Sequence, residues 1–258
     1  MRTVVIGASS GIGRCIAVGL AHRGASVALL ARRKQMVEEA AQQAGQGSLP
    51  VVCDVTDEES CRSAIDKAAD GLGGIDALVY APAIGPLLPM IETDATTWRQ
   101  VFDTNVIGAA LVTAAAVPHL QGTKGTAIYL ASVAGHLTAP WPGLGSYATS
   151  KAALRVMVDA WRGEHPEIGF TTLTLGDCLG GEGDSATQFH SGWDPDMTAK
   201  VFPTWLERGY LSGAAMDVDE LVTVVETLIR TSATSHVPSL SLLARPTPSE
   251  PAPYTIEY

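Results

Sequence analysis

The sequence predicts an α/β fold: a doubly wound parallel sheet of about seven strands, with helices on both faces, in a single domain. Short apolar, β-branched runs alternate with longer stretches of helical periodicity, a pattern typical of strand–helix–strand units. A glycine-rich turn joins the first run to the first helical stretch. The chain has 258 residues, 46% of them hydrophobic, which is enough apolar material for one large core.

The elements are predicted in alternating order. The strands are expected at residues 3–6, 26–31, 50–53, 77–80, 126–131, 170–175 and 240–243. The helices are expected at residues 12–23, 33–44, 58–71, 97–120, 147–164 and 218–231. Parallel strands need crossovers of this length. Right-handed crossovers then wind the sheet into a Rossmann-like arrangement.

One domain is predicted to span residues 1–243, because no linker interrupts them. Within it, residues 176–216 break the alternation and are rich in glycine and aromatic residues. We expect this segment to be irregular and to form a lid beyond the carboxyl ends of the strands. Residues 244–258 contain four prolines and are predicted to be a separate tail.

Composition excludes several classes of protein. The formal net charge is −10, and no basic stripe is visible, which argues against a nucleic-acid binder. The four cysteines, at positions 15, 53, 61 and 178, lack metal-ligand spacing. They predict free thiols in a reducing cytoplasm and no metal site. Apolar runs are short, and the first strand begins at Thr3, so we expect neither a membrane span nor a signal peptide.

The turn after the first strand has the composition of a phosphate-binding loop. It reads Gly7-Ala8-Ser9-Ser10-Gly11-Ile12-Gly13. Small residues allow the backbone to approach a pyrophosphate, and the N-terminus of the following helix offers free N–H donors. A tight turn without a ligand is the plainer interpretation. The position at the first strand–helix junction favours nucleotide binding.

The end of the second strand indicates which nucleotide binds. An NAD-preferring site places an acid here for the ribose 2′-hydroxyl, whereas this chain has Arg32 and Arg33. Forked cations suit a 2′-phosphate, so we predict NADP(H) and leave NAD(H) open. The alternative is that both arginines only begin an exposed helix. Asp54 is a candidate partner for the adenine amine, or a cap for the next helix in competition with Thr56 and Asp57.

Three side chains suggest proton-transfer chemistry. Tyr147 and Lys151 are four residues apart on a predicted helix, so they share one face. A lysine ammonium next to a phenol stabilises the phenolate and lowers the tyrosine pKa, which would let Tyr147 exchange a proton near neutral pH. Ser132 follows the fifth strand, where its hydroxyl could hold a substrate oxygen.

With these motifs the chain resembles the short-chain dehydrogenase/reductase family, in its compact single-domain branch, over roughly residues 1–243. The resemblance rests on Gly7-xxx-Gly11-Ile12-Gly13, Asp54-Val55, Asn105-Val106-x-Gly108, Ser132 and Tyr147-xxx-Lys151. It implies that Tyr147 is the general acid/base, that Lys151 lowers its pKa and holds the nicotinamide ribose, and that Ser132 positions the reacting oxygen. It further implies that Asn105, in the fourth helix, organises a relay water.

The resemblance also implies a homodimer or homotetramer, held by the helices after Tyr147 and Val218. Two segments depart from the family pattern. Tyr80-Ala81-Pro82-Ala83 stands where the family has Asn-Asn-Ala-Gly, and Leu175-Gly176-Asp177 lacks the usual Pro-Gly and a following Thr. We expect Val55, Ala81 and Gly176 to contact the cofactor, with backbone groups replacing the missing side chains.

Aromatic residues are concentrated in the predicted lid. Phe189, Trp193, Phe202, Trp205 and Tyr210 are five of the fifteen aromatics in the chain. They are expected to line an apolar pocket, together with Trp141 from the other side. Alternatively, they pin the lid to the body or cover a subunit contact. Asp177 is either a solvated loop acid or a contact for a cationic substrate group.

The sequence thus predicts an NADP(H)-dependent oxidoreductase that interconverts a ketone and a secondary alcohol, on a bulky or apolar small molecule. A non-redox epimerase or dehydratase of the same fold is the first alternative. A cofactor-bound regulatory protein without turnover is the second, and a methyltransferase is a distant third. We expect no nucleic-acid or membrane partner, and a cytoplasmic location.

Overall fold

A computed structural model describes residues 1–181, 186, 189–211, 214–231 and 234–245 of the chain. They form a seven-stranded sheet in the order β3-β2-β1-β4-β5-β6-β7, in which every pairing is parallel. The predicted doubly wound α/β architecture is confirmed. Most of the predicted proline-rich tail, residues 246–258, lies outside the described residues.

The strands are β1 (Arg2–Ile6), β2 (Ser26–Ala31), β3 (Leu49–Val52), β4 (Ala77–Tyr80), β5 (Thr126–Ser132), β6 (Gly169–Leu175) and β7 (Ser239–Leu242). The helices are α1 (Gly11–His22), α2 (Lys34–Ala44), α3 (Glu58–Leu72), α4 (Ala95–Phe102), α5 (Gly108–Thr123), α6 (Gly145–Glu164), α7 (Pro195–Glu207) and α8 (Val218–Ile229). Most boundaries lie within two residues of those that the sequence predicts.

Two apolar cores cover the two faces of the sheet. Helices α3, α5 and α6 pack on one face, and α1, α2 and α8 pack on the other. The central strands are buried on both faces, which explains their continuous apolar runs. The apolar residues of α8 point into this core, so packing within the subunit accounts for them.

The position of the site follows from the strand order. Strand β1 pairs with β2 on one side and with β4 on the other, so the chain runs outward in opposite directions from this pair. The connections after β1 and β4 therefore separate at the carboxyl edge and leave a crevice. Ligands of open α/β sheets bind at such a switch point.

The long helix predicted after β4 is interrupted in the structure. The single helix expected at residues 97–120 is α4 and α5 joined by a π-helical turn, Asp103–Ile107. The stretch Ala95–Thr123 has the length and hydropathy of a membrane-spanning helix. Apolar side chains of α5 pack against α3 and the sheet.

The segment 176–216, predicted to be irregular, contains the helix α7. Asp194 caps it by accepting a hydrogen bond from the Met197 N–H, and Pro195 occupies the first turn, where a missing N–H costs nothing. The helix belongs to a third apolar cluster above the sheet. That cluster includes Val201 and Trp205 from α7 and Trp141 and Leu144 from the loop before α6.

Candidate functional site

A cleft of about 1590 Å³ runs along the carboxyl edge of the sheet. This is larger than a typical ligand pocket of roughly 300–1000 Å³, so its volume is sufficient for more than one small molecule. The predicted residues on its walls are Gly7, Ser9, Ser10, Gly11, Ile12, Gly13, Arg32, Arg33, Asp54, Val55, Ala81, Ser132, Trp141, Tyr147, Lys151, Gly176, Asp177, Phe189, Trp193 and Trp205. Asn105 is buried behind the wall.

We call one end of the cleft the glycine-loop half, formed by residues 7–13, 31–33, 53–56 and 81–82. Its loop depends on close backbone contacts. Gly7 has a φ of +80°, and a side chain on Gly13 would start 2.4 Å from the Gly7 carbonyl oxygen. Ser10 precedes α1, but its side chain does not cap the helix, and the first turn holds no acid. The N-terminus of α1 therefore offers N–H donors and positive potential to the cleft.

Arg33 lies directly over the two serines of this loop. Its Nη2 donates to Ser9 Oγ at 2.8 Å and to Ser10 Oγ at 2.6 Å. Partial burial, and then the neighbouring Arg32, lower the pKa of the Arg33 guanidinium. Neither arginine forms an ion pair with a carboxylate in the described part of the chain. The pair thus presents positive charge at the end of β2.

Asp54 does not cap the next helix. Asp57 performs that role by accepting a hydrogen bond from the Ser60 N–H, and Asp57 immediately precedes α3. Strand β3 ends at Val52, one residue earlier than predicted, so Asp54 lies two residues beyond it. Its carboxylate accepts hydrogen bonds from the Thr56 N–H and hydroxyl, which fixes it on the cleft wall.

The structure shows what replaces the Asn-Asn-Ala-Gly pattern after β4. Pro82 lies against the glycine loop: a side chain on Gly7 would start 2.9 Å from the Pro82 nitrogen. Asn105 holds the next part of this connection, because its Oδ1 accepts from the Ile84 N–H and its Nδ2 donates to the Ile84 carbonyl, both at 2.9 Å. Ring packing and one buried amide therefore support the segment.

Asn105 also connects this segment to α6. Its Nδ2 donates to Ser150 Oγ at 2.9 Å, and Ser150 Oγ donates to the Tyr147 carbonyl at 2.7 Å. Asn105 lies in the π-helical turn, not in a regular fourth helix as expected. Its amide is occupied by protein partners, so the structure gives it a positioning role. The predicted role in organising a relay water stays a prediction.

Ser132, Tyr147 and Lys151 meet near the middle of the cleft. Ser132 is the last residue of β5, and α6 begins at Gly145, so Tyr147 lies in its first turn. The Ser132 and Tyr147 side chains are hydrogen-bonded. The Lys151 ammonium donates to the Leu130 carbonyl at 2.7 Å and lies 5.8 Å from the centre of the Tyr147 ring.

Burial controls the acid–base properties of this group. It raises the pKa of Tyr147 to about 12, although the hydrogen bond with Ser132 acts in the opposite direction. It lowers the pKa of Lys151 to about 8. The expected lowering of the tyrosine pKa by Lys151 is therefore not observed. In this state Tyr147 holds its proton, and Lys151 is mostly cationic at neutral pH.

The connection after β6 also approaches the glycine loop. The Gly176 N–H donates to the Leu242 carbonyl at 3.0 Å, and the Asp177 carbonyl accepts from the Met216 N–H at 2.8 Å. Farther along, a side chain on Gly180 would start 2.6 Å from the Ile12 nitrogen. The backbone of this connection therefore lies against the start of α1, although the Pro-Gly pattern usual in the family is missing.

The other end of the cleft, which we call the aromatic half, contains Trp141, Phe189, Trp193, Phe202 and Trp205. The rings are in mutual contact: the Trp141 and Trp205 centroids are 5.4 Å apart, and those of Trp193 and Trp205 are 5.8 Å apart. The indole N–H groups of all three tryptophans are hydrogen-bonded: Trp193 donates to the Gly85 carbonyl at 2.8 Å, Trp205 to the Pro142 carbonyl at 3.0 Å and Trp141 to Thr138 Oγ1 at 2.9 Å. These aromatics line the cleft and also fix the lid to the body.

Some lining residues were missed by the sequence analysis, and one predicted aromatic lies behind the wall. Tyr210 stacks on Trp141 with centroids 5.5 Å apart but does not line the cleft. Ile84, Thr198 and Leu211 do line it. No motif marks them, because they come from a loop, a helix and a lid segment that meet only in the folded chain.

Comparisons with known proteins agree with this geometry. A family profile described as short chain dehydrogenase matches residues 2–176. The 11-beta-hydroxysteroid dehydrogenase A of Sesamum indicum is 36% identical over 179 residues, which cover 67% of this chain and 51% of that protein. The chain spans about half the length of the curated relatives that it matches.

Solved structures share the whole fold. An alcohol dehydrogenase from the archaeon Thermococcus sibiricus, complexed with 5-hydroxy-NADP, superposes with a TM-score of 0.76 at 24% identity, covering 96% of this chain and 97% of that one. A 3-ketoacyl-(acyl-carrier-protein) reductase from Brucella melitensis, complexed with NADH, gives a TM-score of 0.76 at 22% identity, with coverages of 93% and 96%. At these identities the likeness shows the fold.

Proposed function

The chain belongs to the short-chain dehydrogenase/reductase family, and from this premise we propose that it is an NADP(H)-dependent oxidoreductase that interconverts a ketone and a secondary alcohol. One observation carries the proposal. The hydrogen-bonded Ser132–Tyr147 pair and the Lys151 ammonium lie in the same cleft as a glycine loop to which Arg33 is hydrogen-bonded. Such a cleft can hold a dinucleotide and move a proton beside it.

The glycine-loop half fits a phosphorylated dinucleotide. Gly7 and Gly13 let the loop pack closely on Pro82 and on itself, and the start of α1 offers N–H donors to a pyrophosphate. Arg33, with Ser9 and Ser10, offers forked and hydroxyl donors to a 2′-phosphate. The charge at this position favours NADP(H) over NAD(H), since an acid would be needed for the 2′-hydroxyl contact of NAD(H).

Three side chains of the cleft would donate the proton that ketone reduction requires and stabilise the resulting charge. When bound, the nicotinamide supplies or accepts a hydride. Tyr147, with a pKa of about 12, carries a proton that it can give to an alkoxide developing on the substrate. Ser132 is placed to hold the same oxygen through its hydroxyl. The Lys151 ammonium, with a pKa of about 8, would lend positive potential to the phenolate that remains.

The aromatic half supports an apolar substrate. Its walls are indole and phenyl rings, and Ile84, Leu179 and Phe202 extend an apolar surface to its opening. Among the described residues, the cleft wall carries three carboxylates, those of Asp54, Asp103 and Asp177. A bulky or ring-containing ketone would bury its surface here, at about 25 cal/mol per Å² of apolar area removed from water.

Cofactor selectivity tests the proposal through Arg33. In the wild-type protein, NADPH should support ketone reduction with a higher kcat/KM than NADH. Arg33→Gln should lower kcat/KM for NADPH by about 10- to 100-fold, the value of roughly 1.5–3 kcal/mol expected for a hydrogen bond to a charged group, and change that for NADH little.

Arg14→Gln is the matched control. It removes the same charge near the start of α1, but Arg14 donates to Gln43 at 3.0 Å outside the cleft. Equal effects of the two substitutions, or equal use of NADH by the wild-type protein, would contradict the NADP(H) assignment. A protein that binds NADPH but oxidises it with no ketone in a panel of aliphatic, aromatic and polycyclic compounds would instead favour a non-redox or regulatory role.

A further inference from the structure

Phe189 is in direct contact with the proposed catalytic tyrosine. The ring centroids of Phe189 and Tyr147 are 4.8 Å apart, in an edge-on arrangement with an interplanar angle of 61°. Gly85 closes the other side: a side-chain carbon there would start 2.4 Å from Phe189 Cζ and 3.2 Å from Tyr147 Cδ2. The Phe189 ring therefore fills the space between the Gly85 backbone and the Tyr147 ring.

Trp193 holds this arrangement in place from the lid side. Its ring contacts Phe189, with centroids 5.6 Å apart, and its Nε1 donates to the Gly85 carbonyl at 2.8 Å. Phe189, Trp193 and Gly85 thus form a closed set of contacts. Because Gly85 lies in the connection that Asn105 anchors at Ile84, the set is tied to the rigid body of the protein.

A ketone that places its oxygen at the Tyr147 hydroxyl must direct its two substituents to the two sides of that oxygen. Phe189 and the Gly85 backbone bound one flank of the Tyr147 ring closely. Other parts of the same cleft are lined by Trp141, Phe202 and Leu211. The two substituents would therefore meet different walls, of which one is the Phe189 ring.

We propose that Phe189, in contact with Gly85 and Tyr147, is the specificity-determining residue that limits the size of one carbonyl substituent. This inference rests on the proposed function, and it names the substrate class as ketones with one small and one large apolar substituent. If Phe189 were only packing for the lid, its removal would weaken the binding of all ketones alike.

Two ketones that differ on one side only provide the test: cyclohexyl methyl ketone and dicyclohexyl ketone. Their dissociation constants are measured by tryptophan fluorescence with NADP⁺ present, so that no turnover is needed, and kcat/KM is measured separately by NADPH oxidation. Phe189→Ala should tighten binding of dicyclohexyl ketone by at least about tenfold and change that of the methyl ketone by less than about threefold, the range expected when a hydrophobic pocket gains room.

Gly85→Ala supplies a second variant. Its methyl group would start 2.4 Å from Phe189 Cζ, so the ring must shift, and the ratio of the two dissociation constants should change. Phe102→Ala is the matched control: Phe102 packs on Trp98 and does not line the cleft, so it should leave the ratio of the two constants unchanged. If Gly85→Ala does not fold, the result for Phe189→Ala alone tests the proposed role of Phe189.

An unchanged ratio in folded Phe189→Ala, or equal weakening for both ketones, would overturn the inference. Failure of the two proposals is distinguishable. If the binding ratio shifts as expected while no variant oxidises NADPH with either ketone, Phe189 limits the pocket and the proposed reduction is wrong. If NADPH is oxidised but the ratio does not move, the reduction stands and the inference about Phe189 fails.

Discussion

The two halves of the cleft are built in different ways. The glycine-loop half consists largely of backbone and short side chains from consecutive residues, and its walls are fixed by contacts such as Gly13 against the Gly7 carbonyl. The aromatic half consists of large rings from distant segments, joined by ring contacts and two indole hydrogen bonds. One half is therefore suited to hold an invariant dinucleotide, and the other can change its specificity by exchanging single side chains.

The largest expected effect lies where the halves meet. Tyr147→Phe removes the proton donor and should lower kcat for ketone reduction by about 10²- to 10⁴-fold, the usual contribution of general acid catalysis. Cofactor binding should remain nearly intact, because the glycine-loop half is unchanged. Turnover is followed by NADPH absorbance and binding by NADPH fluorescence.

Tyr129→Phe is the control for this substitution. It deletes a buried hydroxyl that is hydrogen-bonded to Thr113 in the core, away from the cleft, so it should affect stability more than turnover. An unchanged kcat in Tyr147→Phe would show that Tyr147 is not the general acid. Loss of NADPH binding in that variant would show that the two halves are not separable.

A smaller effect is expected from pH. Burial lowers the pKa of Lys151 to about 8 and raises that of Tyr147 to about 12. As pH rises, Lys151 therefore loses its proton first, while Tyr147 stays protonated. The kcat/KM for reduction should be flat below pH 8 and fall by about tenfold for each unit above it. Circular dichroism at each pH excludes unfolding as the cause.

A profile of kcat/KM that is flat to pH 10, or that falls below pH 7, would contradict the role of Lys151.

The difference between the halves also explains what the sequence could predict. The fold and the glycine-loop half depend on local patterns: alternating elements, a glycine loop at the first junction and arginines at the end of β2. Tyr147 and Lys151 share a helix face through their spacing alone. These features involve residues close together in the chain, so their geometry follows from secondary structure.

Other features depend on contacts between distant residues and were not predicted. Two examples are the packing of Pro82 against Gly7 and the packing of Phe189 against Gly85. Both contacts form only when separate connections meet at the edge of the sheet. Helix α7 was missed because its aromatic residues and internal Pro203 obscure helical periodicity, although Asp194 and Pro195 carry a start signal. The pKa of Tyr147 was misjudged because burial depends on the whole fold.

Transfer of deuterium tests the central claim most directly. NADPH carrying deuterium at C4 of the nicotinamide, supplied as each of its two diastereomers in turn, is incubated with the protein and a methyl ketone. The alcohol is then analysed by mass spectrometry and NMR. We predict one deuterium on the carbinol carbon from one of the two diastereomers. An alcohol without deuterium from either, or no alcohol from any ketone tested, would contradict hydride transfer in this cleft.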